Sequence, residues 1–186
     1  MTAVYALLAV LALAAVWAVL AYNALVAARN RCDEAWSGVD VQLKRRHDLV
    51  PNLVETVRGY AEHEQATLAR VTDARARAMS ATTPFERAKA ERELGASLGL
   101  VTALAEQYPA LRAVEAFSRL QAQLAELEDE IQAGRRIYNA DVRHFLTRKQ
   151  SFPAMLVVPL GDFPDRPYFE LDSTRERQVP QVAFAA

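Results

Sequence analysis

MTAVYALLAVLALAAVWAVLAYNALVAA, residues 1–28, carries no charged side chain and stops at Arg29, where a chain rich in charge begins. A bilayer core needs roughly 20 apolar residues in helical form, and residues 4–25 supply that length without Gly, Pro or charge. Tyr5 and Tyr22 fall where interfacial aromatic belts are expected, with Trp17 between them. The competing reading is a cleaved leader, because Val26-Ala27-Ala28 fits a small-residue cleavage pattern. Against it, no Lys or Arg precedes the run, and the run exceeds the roughly 7 to 15 residues of a leader's apolar core. The stretch reads as an uncleaved single-pass transmembrane helix.

Basic residues near the membrane set orientation, and here Arg29, Arg31, Lys44, Arg45 and Arg46 all follow the helix. The expectation is a protein of the inner (plasma) membrane with its N-terminus outside and the rest of the chain in the cytoplasm. Alanine occupies every third position from Ala3 to Ala27. Three residues turn a helix through about 300°, so this ridge winds around the anchor. Small residues let helices approach closely in lipid, which makes Ala9, Ala12 and Ala15, with Trp17 and Tyr22, the expected membrane and homo-oligomer contacts.

The 22 basic and 23 acidic residues leave a formal charge of −1, without the basic excess of a nucleic-acid binder. Cys32 is the sole cysteine, so no internal disulfide forms. It lies four residues past the apolar run, where palmitoylation can occur; the simpler reading is a small helix residue.

Downstream, apolar residues recur at three and four: Trp36, Val39, Leu43, Val50, Leu53, Val57, Tyr60, Leu68 and Val71. This predicts a helical seam running on from the anchor to about Met79. Pro51 interrupts it, and a kink and a tight reversal both fit. Thr83-Pro84-Phe85-Glu86 combines an N-cap, a first-turn proline and a capping-box glutamate, opening a helix that ends near Tyr108-Pro109. A last helix is expected from about residue 110 to 149, with Phe117, Leu127, Ile131, Tyr138, Val142 and Phe145 on its seam. No strand pattern appears before residue 150. Residues 151–172 are apolar but hold Pro153, Pro159, Pro164 and Pro167, which forbid a regular helix. The expected order is anchor (1–28), helical bundle (29–150), Pro-rich apolar segment (151–172) and disordered tail (173–186).

YNALVAARNRCDEAWSGVDVQLKRRHDLVPNLVETVRGYAEHE (22–64), YPALRAVEAFSRLQAQLAELEDEIQAGRRIYNADV (108–142) and SFPAMLVVPL (151–160) together resemble the LemA family of bacterial membrane-anchored proteins. The resemblance covers essentially residues 20–160. It implies an N-terminal anchor and an all-α domain of the four-helix-bundle type, which with the long helices gives an elongated antiparallel bundle. It implies no enzymatic activity. Relatives carry a second Tyr-Asn pair after the one matched by Tyr138-Asn139; this chain has His144-Phe145-Leu146 there.

His63-Glu64 lacks the second histidine of a zinc-protease motif, position 67 being Thr. His47, His63 and His144 lie in separate regions, so no metal, cofactor or catalytic residue is assigned and the protein is not read as an enzyme. Lys44-Arg45-Arg46 lies about 24 Å beyond Arg29 on a straight helix, past the roughly 8 Å screening length. A solvated face, or ion pairs with Asp40 and Asp48, is the expectation there.

The function expected is a self-assembling membrane scaffold that organises or remodels membrane. The alternative is a tethered module binding another membrane protein, such as a protease or a signalling partner. Lipid is a partner in both. Phe152, Leu156 and Leu160 are candidate membrane contacts, against the alternative that they cap the open end of the bundle.

Overall fold

The computed structural model describes residues 1–170; the expected disordered tail lies outside the described residues. The fold is all-α. Helices α1 (Thr2–Arg58), α2 (Gln65–Ser80), α3 (Pro84–Gln107), the one-turn α4 (Pro109–Arg112) and α5 (Glu115–Gln150) are followed by a 3₁₀ segment, Ala154–Leu160. Part of α1 is apolar and long enough to cross a membrane. The described residues form two compact units, residues 1–43 with 129–168, and residues 44–128 with Phe169 and Glu170.

In the second unit four helical segments alternate in direction. Arg75 of α2 and Glu91 of α3 both stand beside His47 of α1, whereas Tyr108 at the far end of α3 donates to Glu64. Glu128 of α5 meets Arg46 of α1. Val50, Val57, Val71, Leu94, Val101 and Phe117 lie in the shared core, so this unit is a four-helix bundle.

Pro51 neither reverses nor breaks α1. Its missing N–H would have bonded the carbonyl of His47, four residues back. That carbonyl accepts instead from Arg75 Nε at 2.7 Å, so a side chain from α2 satisfies the group the proline leaves vacant.

The reversal falls later, in residues 59–64, where the Tyr60 and Ala61 amides both bond the Val57 carbonyl. The expected single seam to Met79 is thus corrected to two helices, with Tyr60 and Met79 exposed. Periodicity missed the break because Leu68 and Val71 happen to resume in phase with Val57. At α3 both reciprocal capping-box bonds form: Glu86 N–H donates to Thr83 Oγ1 and Thr83 N–H to Glu86 Oε2, each 3.2 Å. The last helix starts at Glu115, not at residue 110, because α4 first turns the fully buried Leu111 into the bundle end.

In the first unit α1 and α5 run antiparallel. The Trp36 and Tyr138 rings lie 5.3 Å apart, and Arg148 Nη1 donates to the Ala24 carbonyl at 3.4 Å. A Cβ on Gly134 would come within 3.0 Å of Val39 Cγ2, so glycine is what lets the two backbones close there. Leu25, Ala28, Cys32, Val39 and Leu43 on α1 are buried, as are Ile131, Tyr138, Val142 and Phe145 on α5.

Candidate functional site

Two places concentrate chemistry. The first is the reversal after α5, which folds back against the end of the uncharged run. Gly161 packs on Tyr22 so closely that a Cβ would stand 2.8 Å from Tyr22 Cε2 and from Phe163 Cε2. Phe163 meets Tyr22 edge to face, with centroids 5.5 Å apart. The Arg29 guanidinium lies 5.9 Å from the Phe163 centroid and donates to the Asp162 carbonyl at 3.0 Å. Further along, Arg166 pairs with Asp33 at 2.7 Å, and Tyr138 OH donates to the Pro167 carbonyl at 2.9 Å.

Within this segment the apolar side chains divide. Val157 and Phe163 are buried, whereas Phe152, Leu156 and Leu160 are 78%, 60% and 71% exposed, with Met155 beside them also exposed. Tyr22 is half-buried by the segment, and Ala9, Ala12 and Ala15 are exposed, with Trp17 37% exposed. The structure therefore brings Tyr22 together with residues 152–163 and leaves the alanine ridge open. Cys32 is enclosed: burial pushes its thiol up, and the charge of Asp141 adds to the effect. The simpler reading of that residue fits this geometry.

The second place is a buried charge network in the bundle. Glu91 accepts from Arg46 Nη2 and, at 2.6 Å, from His47 Nε2. Arg46 Nη1 donates to Glu128 at 2.7 Å, while Arg46 Nε is buried without a partner. Burial pushes the Glu91 carboxyl up, but the His47 hydrogen bond and the Arg46 charge outweigh it and hold the group below the usual carboxylate range. Here the structure corrects an expectation. Arg46 is not on a solvated face; it is buried between α3 and α5, paired with Glu91 and Glu128. A signal was present, because the apolar seam skips from Leu43 to Val50, and Arg46 and His47 fill the vacant turn. Glu91 likewise stands one turn before the seam residue Leu94.

Beside Arg46 a half-open groove of about 550 Å³ is lined by Leu53, Leu98, Gly99, Phe117 and Leu124. Added Cβ atoms on Gly95 and Gly99 would meet nothing within 4 Å, so these glycines widen it. Among the described residues no three His, Cys, Asp or Glu side chains group to hold a metal ion. His63 and His144 are exposed and lie on separate units.

A sequence profile described as the LemA family matches residues 35–184. Protein LemA of Metamycoplasma hominis is 26% identical over 134 residues, covering 70% of this chain and 60% of that protein. The magnetosome proteins MamQ 1 and MamQ 2 of Paramagnetospirillum magneticum are each 23% identical over 175 residues, covering 80% of this chain and 64% of theirs. The chain thus spans under two thirds of the length of these relatives. With an apolar helix entering an all-α bundle and the profile running through both units, this membrane-associated helical chain belongs to the LemA family.

Proposed function

We propose that this protein is a non-enzymatic, membrane-anchored scaffold that assembles with copies of itself through α1 and organises or remodels the membrane. The observation that carries this reading is the exposure of α1 over residues 2–17. An uncharged helix that its own chain leaves bare must be covered by lipid, by other copies, or by both. The winding alanine ridge suits contacts on several sides, because packing replaces the hydrophobic drive inside lipid.

Full-length protein in detergent or native lipid is expected to run as an oligomer, and Ala9→Leu/Ala12→Leu/Ala15→Leu to reduce that mass while keeping the anchor apolar. An unchanged mass would remove the ridge from the assembly. The bundle is assigned to the cytoplasmic side of the inner membrane from Arg29 and Arg31. A reporter joined after Ala186 is expected to be active only inside the cell, and periplasmic alkaline phosphatase activity from such a fusion would reverse the assignment.

A second reading, a tethered module that presents the bundle to another membrane protein, draws on the groove beside Arg46. It expects a monomer until the partner is added, so the same mass measurement separates the two.

A further inference from the structure

We infer that the reversal at residues 151–160 is a membrane foot: Phe152, Met155, Leu156 and Leu160 enter the headgroup–acyl boundary of the leaflet from which α1 emerges. The inference deepens the scaffold reading and rests on α1 crossing the bilayer.

Four observations place the foot. The antiparallel register of α5 on α1, from Val39 beside Gly134 to Ala24 beside Arg148, brings the end of α5 down to the Tyr22 turn. The returning chain crosses that level again, with Gly161 and Phe163 against Tyr22 and Asp162 against Arg29. Residues 151–160 are therefore held from both sides at the end of the uncharged run. Charge agrees with this placement, since nothing between Lys149 and Asp162 is ionisable, while Arg29, Arg148 and Lys149 flank the segment where long side chains reach headgroups. The side chains divide to match. Val157 and Phe163 point inward and fasten the segment, Val158 is half-buried, and Phe152, Met155, Leu156 and Leu160 point away from the chain. Capping and membrane contact are thus not alternatives; different residues of one segment do each.

Lipid is the occupant because the exposed face continues the surface of an apolar helix that ends at the same level. The segment is too short to span, so its burial is interfacial. It adds apolar volume to one leaflet only, which is the asymmetry a membrane-remodelling scaffold needs.

The test uses the full-length chain, Cys32→Ala, in phosphatidylethanolamine–phosphatidylglycerol vesicles, with an environment-sensitive dye on Leu156→Cys or Leu160→Cys. A nitroxide high on the lipid acyl chain is the quencher. Both positions are expected to be quenched about twofold or more, and a dye on the exposed Lys89→Cys of the bundle to be unaffected. Quenching at 156 and 160 no greater than at 89 overturns the foot. A blue-shifted but unquenched dye, with disulfide cross-linking between copies of the unlabelled Leu156→Cys chain under an added oxidant, would mean that a second copy covers this face, and also overturns it. A dye on Val10→Cys with a deep nitroxide reports the anchor independently, so failure of the foot and failure of the anchor give different patterns.

Discussion

Glu91→Ala is expected to destabilise the bundle by about 3–5 kcal/mol, the usual cost of stranding one partner of a buried ion pair. Glu91 is 1% exposed and Arg46 3%. After the substitution Arg46 keeps Glu128, whose side chain is 44% exposed, and a long 3.4 Å hydrogen bond to the residue 91 carbonyl, and His47 Nε2 loses its acceptor. Arg46 Nε already lacks a partner, so the guanidinium has little left to offset its desolvation. The cost belongs to the stranded charge and not to the pair itself. Arg46→Met with Glu91→Leu is therefore expected to recover most of the loss, since apolar replacements of buried pairs are often neutral or better. Urea unfolding of full-length protein in detergent, followed by circular dichroism, measures both. A double variant as unstable as Glu91→Ala would overturn this account.

The same site sets an acid limb. Because the folded Glu91 carboxyl lies below its unfolded value, its contribution is complete above the unfolded carboxylate pKa of about 4.3 and is lost as pH falls from there through the folded value. In Glu91→Gln that part of the pH dependence should flatten.

How legible each feature was depended on how local its physics is. The cap at Thr83-Pro84-Glu86 could be read directly because all its partners lie within one turn. The uncharged run was equally plain, since length and charge alone identify it. Pro51 left two outcomes open because the deciding group, the Arg75 side chain, comes from another helix. The reversal at residues 59–64 was hidden by a coincidence of phase. Arg46, His47 and Glu91 were missed for a different reason: a seam search looks for apolar residues and treats charges at seam positions as gaps, although three such gaps on facing helices are the signature of a buried network. In the segment after α5, composition revealed an apolar surface. Which residues face outward depended on Gly161 and Phe163 meeting Tyr22, a contact more than a hundred residues distant in sequence.

That contact makes Phe163→Ala the second large effect. Removing a buried phenylalanine costs about 3–5 kcal/mol, and here the cost falls on a short segment instead of a whole core. Phe163 is 5% exposed, packed on Tyr22 and beneath Arg29. The other links of this segment are weaker. Lys149 pairs with Asp165 at 2.6 Å, but the Asp165 side chain is 76% exposed, and such pairs contribute about 0–1 kcal/mol. The Tyr138 to Pro167 hydrogen bond adds about 0.5–1.5 kcal/mol net. Without the ring these links, with the Arg29–Asp162 and Arg166–Asp33 contacts and the buried Val157, hold residues 151–168 against α1 more weakly, whereas the Trp36–Tyr138 contact and the buried Val142 and Phe145 still join the two helices. Amides of residues 155–161 should therefore exchange with solvent faster and the segment become open to protease, with α1 and α5 unchanged. Phe152→Ala removes the same group from a side chain that is 78% exposed, and should alter local opening by less than about 0.5 kcal/mol. Equal exchange in the two variants would mean that the ring of Phe163 does not fasten the segment, and that the polar links do.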